Sequence, residues 1–187
     1  LTNPNGNNEL FQAGTNAIAA WANALNSAML SNCFKIAGLN DLMSRYRDSA
    51  IAAYNYAGNQ MLDNILTPSP SDNKVRGRDM KMMAAAYLYN VTGDTKYEND
   101  MLGECVVSSS TSEISNSNHN QLWGVAAYLM TDQPVHTQTL YDNMKASIIH
   151  QAKNKEVNYS NSRPSRRATD NSTGYFWTNQ DVHRTII

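Results

Sequence analysis

The side chains that could take part in chemistry are few and widely spaced. The four histidines, at positions 119, 136, 150 and 183, show no spacing typical of metal ligands, and Cys33 and Cys105 lie far apart in sequence. Serine is abundant, but no sharp strand–turn–helix motif presents one as a nucleophile. No glycine-rich phosphate loop occurs. The sequence therefore predicts no metal site and no cofactor. Two buried thiols are expected, with a single disulfide between them as the alternative.

Three aromatic or histidine side chains have chemistry suited to a sugar. Trp177 follows a polar loop, where an indole ring can stack on the apolar face of a pyranose. His119, between Asn118 and Asn120, can exchange hydrogen bonds with hydroxyl groups. Trp123 follows one turn later. Other interpretations remain open: Trp177 can close its loop onto the core, His119 can be a surface residue beside a helix cap, and Trp123 can belong to the core.

Most of the chain shows helical periodicity. Apolar residues recur at steps of three, four and seven, which is typical of amphipathic helices. No segment alternates convincingly enough to predict a strand. Asn40 and Asp94 are expected to cap helices, and Gly93 is expected to end one in the left-handed conformation. The predicted helices cover about residues 9–34, 41–62, 79–91, 94–105, 122–129, 134–152 and 178–187.

A weak internal repeat indicates that these helices pair. Ala-Ala-Tyr-Leu occurs at residues 85–88 and again at residues 126–129, 41 positions later, and each copy is followed by a short turn containing Thr and Asp. Repeats of about 40 residues built from helix pairs are typical of stacked helical hairpins. In such arrays long loops, here residues 108–120, usually carry function.

The overall charge and the lengths of the apolar runs argue against two classes of partner. With 15 Lys+Arg against 16 Asp+Glu, the formal net charge is -1, whereas nucleic-acid binding needs clustered positive charge. The basic cluster at residues 163–167 lies in a polar loop without interleaved aromatic residues. No apolar run approaches the ~18 residues that would span a bilayer. We therefore predict neither nucleic acid nor a membrane as a partner.

Three segments resemble glycoside hydrolase family 9. Residues 82–97, MMAAAYLYNVTGDTKY, resemble a helix–turn–helix of that family. Residues 118–125, NHNQLWGV, look like its next polar loop running into a Gly-containing inner helix. Residues 175–179, YFWTN, are similar to its aromatic loop, although the usual Gly-Ser after the Trp is not kept. The order and spacing agree over roughly residues 9–187.

The resemblance implies a fold and an activity. The fold would be all-α, an incomplete (α/α)6 toroid of antiparallel helix hairpins, and the activity would be inverting hydrolysis of β-1,4-linked glucose or glucosamine oligosaccharides. By the same resemblance Asp79 faces the cleft, although capping of its helix explains an Asp there equally well. The family's Asp-x-Gly-Asp motif does not occur, and residues 183–185, His-Arg-Thr, lie too early to be its substrate loop. We assign no catalytic residue within this segment.

Further expectations follow from this interpretation. Residues 1–187 are taken as part of one catalytic domain truncated at both ends, since the chain starts without Met and the last predicted helix stops at Ile187. We expect the chain alone to be inactive and to self-associate through exposed inner-helix surface. Asn-rich, Lys-poor loops indicate a periplasmic or secreted protein. The alternatives are a helical-repeat carbohydrate-binding or interaction module without catalysis, and an α/α-toroid lyase or isomerase of sugars.

Overall fold

The computed structural model describes residues 17–59, 77–116 and 119–158, and in this part the chain is entirely helical apart from turns and one isolated bridge between Ser115 and Asn120. The all-α prediction is confirmed. The start of the first predicted helix and the whole of the last lie outside the described residues. The described helices are α1 (Ala17–Ile36), α2 (Asn40–Asn59), α3 (Gly77–Thr92), α4 (Thr95–Glu104), α5 (Leu122–Leu129) and α6 (Gln138–Gln151), followed by a π-helical turn (Ala152–Val157).

Helix α3 is the centre of this arrangement. Every residue from Met82 to Asn90 is buried. A helix that is buried on all sides must be surrounded by other helices, and α3 packs on α1, α4 and α5, with a smaller contact to α2. The three small residues Ala84, Ala85 and Ala86 are fully buried, which allows the neighbouring helices to approach closely.

The helices are paired as the repeat predicts. Helix α1 packs on α2, α3 on α4, and α5 on α6, and the first members of the three pairs form a row in which α3 touches both α1 and α5. The second helices of the first two pairs, α2 and α4, are also in contact. The Tyr54 hydroxyl donates to Asp100 Oδ2 at 2.9 Å, and the Tyr54 ring packs edge to face on the Tyr97 ring.

The predicted turn between α3 and α4 is confirmed. Gly93 has φ 69°, and the Asp94 side chain accepts a hydrogen bond from the Lys96 amide at 2.9 Å. The side chain of Gln133, from the turn after α5, closes over this corner by donating from Nε2 to the Asn90 carbonyl at 3.2 Å. A Cβ atom on Gly93 would lie 2.8 Å from Gln133 Oε1, so a side chain here would displace Gln133 in addition to straining the left-handed backbone.

The turn between α1 and α2 differs from the prediction. Asn40 is the first residue of α2 rather than a residue before it. Gly38, with φ 73°, ends α1, and the backbone closes the turn with bonds from Leu39 N to Phe34 O at 2.9 Å and from Gly38 N to Lys35 O at 3.1 Å. This pair of bonds satisfies the last free carbonyls of α1 without a side-chain cap.

The two thiols are free, as predicted, but only Cys105 is partly buried, and Cys33 is exposed on α1. The expectation that both are buried was wrong for Cys33, which lies in the last turn of α1, where the neighbouring residues 35–40 are also exposed. Burial raises the pKa of the Cys105 thiol to about 11, so that thiol stays protonated at neutral pH and is a poor nucleophile.

The close contact between α3 and α5 at Gly124 generates a stability prediction. A Cβ atom on Gly124 of α5 would lie 2.5 Å from Met82 Sδ and 3.0 Å from the Met83 Cα of α3. We expect Gly124→Ala to lower the free energy of unfolding by about 1–3 kcal/mol, because the added methyl group overpacks this contact. Urea-induced unfolding followed by circular dichroism measures the change.

Gly103→Ala is the matched control. Gly103 is exposed on α4, and a Cβ atom there meets nothing within 4 Å. The same exchange should therefore raise the free energy of unfolding by about 0.5–1 kcal/mol through the helix propensity of Ala. Equal effects of the two substitutions would contradict the close approach of α3 and α5.

Candidate functional site

The sequence-predicted site residues that the structure describes lie at one end of the helix row. Asp79 is in the first turn of α3, His119 is in the loop that precedes α5, and Trp123 is the second residue of α5. The structure thus brings Asp79 against Asn120, which is 41 positions away in sequence and next to His119. Trp177 lies outside the described residues.

Asp79 is buried, with 1% of its surface exposed, and both of its carboxylate oxygens are occupied. Oδ2 accepts a hydrogen bond from the Asn120 amide at 2.8 Å, and Oδ1 accepts one from Gln121 Nε2 at 3.0 Å. Asp79 therefore neither caps its own helix nor faces solvent. It holds the start of α5 against the start of α3.

Gln121 is the centre of this network. Its side chain is fully buried. Besides reaching Asp79, Nε2 donates to the Glu104 carbonyl at 2.8 Å, and Oε1 accepts from the Val106 amide at 2.8 Å. One amide group thus joins the end of α4, the beginning of the long loop at residues 105–121, and α3. A buried polar group with all of its partners satisfied positions its neighbours uniquely.

Charged side chains surround this buried centre. The Glu104 carboxylate lies 2.8 Å from Lys81 Nζ and 3.5 Å from Arg78 Nε. Arg78 Nε also donates to the Glu104 carbonyl at 3.1 Å. The partial exposure of all three side chains means that solvent screens these pairs, which therefore contribute modestly to stability.

Helix α6 fixes the rest of the long loop. Gln151 accepts from the Ile114 amide at 3.0 Å and donates to the Ser115 carbonyl at 2.6 Å, and the Ser147 hydroxyl donates to the Ser109 carbonyl at 2.9 Å. The described parts of the loop, residues 105–116 and 119–121, are therefore held by Gln121 and by side chains of α3 and α6. Because many of their backbone groups are bonded to buried side chains, these parts form a well-anchored platform.

His119 lies on this platform and is partly exposed. Its Nε2 is 2.6 Å from the Glu113 carbonyl oxygen, and its amide donates to Asn116 Oδ1 at 3.2 Å. Because a carbonyl only accepts, Nε2 must carry the proton, and Nδ1 of the neutral ring is left as an acceptor. That atom could accept a hydrogen bond from a ligand hydroxyl. Trp123 is partly buried and packs against the core.

A second polar cluster, which the sequence analysis missed, lies at the opposite end of the helix row. The carboxylate of Glu98, on α4, is 1% exposed. It accepts hydrogen bonds from the Tyr128 hydroxyl at 2.5 Å, from His136 Nδ1 at 2.5 Å and from the His136 amide at 3.0 Å. The Tyr89 hydroxyl donates to the Pro134 carbonyl beside it. Nothing in the spacing of Glu98 and His136 along the chain indicated this pair.

The protonation states of this cluster follow from its geometry. Burial by itself would raise the pKa of Glu98, but the hydrogen bonds from Tyr128 and from the His136 amide and ring outweigh it and hold that pKa below its ordinary value. Burial and the bond to the carboxylate raise the pKa of Tyr128 far above the usual value of a phenol. Glu98 is therefore ionised and Tyr128 neutral at physiological pH.

The His136 ring is 53% exposed, and its Nε2 makes no hydrogen bond with the part of the chain that the structure describes. The carboxylate fixes the ring orientation while the other nitrogen faces solvent. The described residues contain no group of three or more His, Cys, Asp or Glu placed to hold a metal ion. The Glu98–His136 pair therefore holds the segment between α5 and α6 against α4.

Removing one acceptor tests the role of Asp79. We expect Asp79→Asn to lower the free energy of unfolding by about 1–3 kcal/mol. The new side-chain NH2 group would point at one of the two hydrogen-bond donors, Asn120 N or Gln121 Nε2, and leave that buried donor without an acceptor. Hydrogen exchange of the Asn120 amide should accelerate in the same variant. Asp132→Asn is the control, since Asp132 is exposed and makes no hydrogen bond with the described residues. An unchanged exchange rate of the Asn120 amide would contradict the role of Asp79 as its hydrogen-bond acceptor.

The pKa of Glu98 generates a pH prediction. Its ionised form is stabilised by folding, so its contribution is present above the unfolded pKa of about 4.3 and is lost as the pH falls through the lower folded value. We expect Glu98→Gln to destabilise the protein by about 1–3 kcal/mol at pH 7 and by less in acid. Thermal unfolding from pH 3 to pH 7 measures this. If the difference in stability between Glu98→Gln and the parent chain stayed the same from pH 3 to pH 7, the role of the ionised carboxylate would be contradicted. The control is Asp142→Asn, at an exposed position.

None of the described helices combines the length and the apolar character that crossing a bilayer requires. Comparison of the sequence with protein-family models and with curated proteins finds no match. The assignment of a site therefore rests on the contacts of the described residues.

Proposed function

We propose that the chain belongs to the catalytic domain of an inverting glycoside hydrolase, similar to family 9, that acts on β-1,4-linked glucose or glucosamine oligosaccharides. The helices would form part of an (α/α)6 toroid. The sugar chain would lie across the N-terminal ends of α3 and α5, along the loop at residues 105–121. The observation that carries this proposal is the row formed by the first helix of each pair, in which α3 lies between α1 and α5.

The row supports the proposal because of where it places the long and short connections. The turn of two residues between α3 and α4 lies at one end, and the loop at residues 105–121 lies at the other. An α/α toroid has the same alternation, with an inner helix followed by an outer one. The long loops at one end are then the natural place for a ligand.

The chemistry of the platform supports a hydroxylated, uncharged ligand. His119 presents Nδ1 as an acceptor, and residues 108–111 of the same loop are exposed and carry hydroxyl groups. Neutral donors and acceptors on a rigid loop suit sugar hydroxyls, since little ordering is needed when the ligand binds. Asp79 acts here as a positioning residue that holds Asn120 and Gln121, and the direct contacts come from the loop.

A binding module without catalysis is the second candidate, and one observation favours it. Asp79 and Glu98 are the buried carboxylates of the described part, and hydrogen bonds from the protein occupy both oxygens of each. Inverting hydrolysis needs two available carboxyl groups about 6.5–9.5 Å apart. Neither of these two is available for that role.

Binding of oligosaccharides by the chain tests the proposed surface. We expect cellotetraose or chitotetraose to shift the amide resonances of residues 108–121, and His119→Ala to weaken binding by about tenfold, since one hydrogen bond to a ligand is worth about 1 kcal/mol or more. His150→Ala is the control, because His150 lies on α6 and its side chain bonds, among the described residues, to Asn154 alone. Equal binding by both variants would contradict the site.

Turnover separates the two candidate functions. We expect the 187-residue chain to release no product from either substrate, and the protein that carries this chain in its complete domain to release a product of inverted anomeric configuration, which proton NMR detects. Turnover by the 187 residues alone would refute the first expectation. Binding without turnover by the complete domain would favour the binding module.

A further inference from the structure

We propose that a groove between α1 and α2 binds a small sugar acid, a hexuronate. The groove has a volume of about 330 Å³ and is lined by two side chains of α1 and three of α2. These are Asn23, Ser27, Arg45, Tyr46 and Ser49. The inference goes beyond the proposed function, which does not require this groove, and it concerns the first helix pair rather than the ends of α3 and α5.

The groove interrupts an otherwise close helix pair. One turn along α1 from Ser27, the Ser31 hydroxyl is fully buried and donates to the Met43 carbonyl of α2 at 2.8 Å. Ser27 is also buried, at 7% exposure, but its hydroxyl reaches only Asn23 Oδ1 at 3.5 Å. That distance is at the limit of a hydrogen bond. The Ser27 hydroxyl therefore keeps hydrogen-bonding capacity for a ligand in the groove.

Among the described residues, the positive charge of the groove has no ion-pair partner. Arg45 is exposed and makes no ion pair or hydrogen bond with the described residues. Its neighbour Arg47 is paired with Asp48 at 2.9 Å. Asp41, one turn earlier on α2, makes no ion pair with Arg45. A free guanidinium group presents a planar pair of donors that matches a carboxylate, so the groove favours an anion with that geometry.

The remaining side chains fit hydroxyl groups. The Tyr46 ring is held against the Phe34 ring at a centroid distance of 5.2 Å, and its hydroxyl makes no hydrogen bond within the described part. Asn23 and Ser49 are exposed at the rim. Four neutral polar groups around one cation suit a carboxylate that carries several hydroxyls. The volume lies at the lower end of the range for ligand pockets, roughly 300–1,000 Å³, which suits one sugar ring.

The test uses glucuronate and the 187-residue chain in an NMR titration, with glucose and acetate as controls. Glucuronate should shift the amide resonances of Ser27 and Tyr46, and glucose and acetate should each bind at least about tenfold more weakly, because each satisfies only part of the groove. Binding should weaken as the salt concentration rises, since Arg45 is exposed. If a diuronate binds as tightly as glucuronate, the ligand is the end of a uronate polymer. If it binds more weakly, the ligand is the free sugar.

Matched substitutions on α2 locate the site. Arg45→Gln should reduce the affinity for glucuronate by about tenfold or more, and Arg47→Gln, with the same change of net charge, should alter it less than about twofold. Ser27→Ala should weaken the binding of glucuronate and leave the binding of acetate unchanged. Acetate binding as tightly as glucuronate, equal losses in the two Arg variants, or no shift at Ser27 would overturn the proposal. Binding of β-1,4 oligosaccharides at residues 108–121 is measured separately, so either proposal can fail alone.

Discussion

The packing of α3 between α1, α4 and α5 is the constraint on which the rest of the structure depends. Because the helix is buried on every side from Met82 to Asn90, its neighbours must come close, and small residues at the contacts allow this. Gly124 is the clearest case, since any side chain there would collide with Met82 and Met83. The row of α1, α3 and α5 is a consequence of this single buried helix.

The row also explains why two polar clusters lie at its two ends. Helix termini leave backbone groups without partners inside the helix, so the ends of packed helices must find other donors and acceptors. At one end Asp79 and Gln121 meet this need and fix the long loop. At the other end Glu98 receives Tyr128 and His136 and fixes a short turn. The two clusters use buried carboxylates for the same physical purpose.

The sequence predicted local features better than distant contacts. The period of the apolar residues placed the helices, and the Gly93–Asp94 turn was correct because a left-handed Gly followed by a capping Asp is a signal within a few residues. The Glu98–His136 pair could not be predicted, because 38 positions separate the two residues and neither has a distinctive neighbour. Asp79 was predicted to face a cleft or to cap its helix, but it is buried and its partners are a backbone amide and Gln121, which no residue pattern reveals.

We propose that the ends of α3 and α5 present a sugar-binding loop, in which Asp79 holds Asn120 and Gln121 in place and His119 contacts the ligand. A crystal structure of the chain with a β-1,4-linked oligosaccharide tests this most directly. The account predicts a sugar hydroxyl within hydrogen-bond distance of His119 Nδ1, with the Asp79 carboxylate still bonded to Asn120 and Gln121. A ligand bound away from residues 105–121, or one that takes Asp79 from those partners, would contradict it.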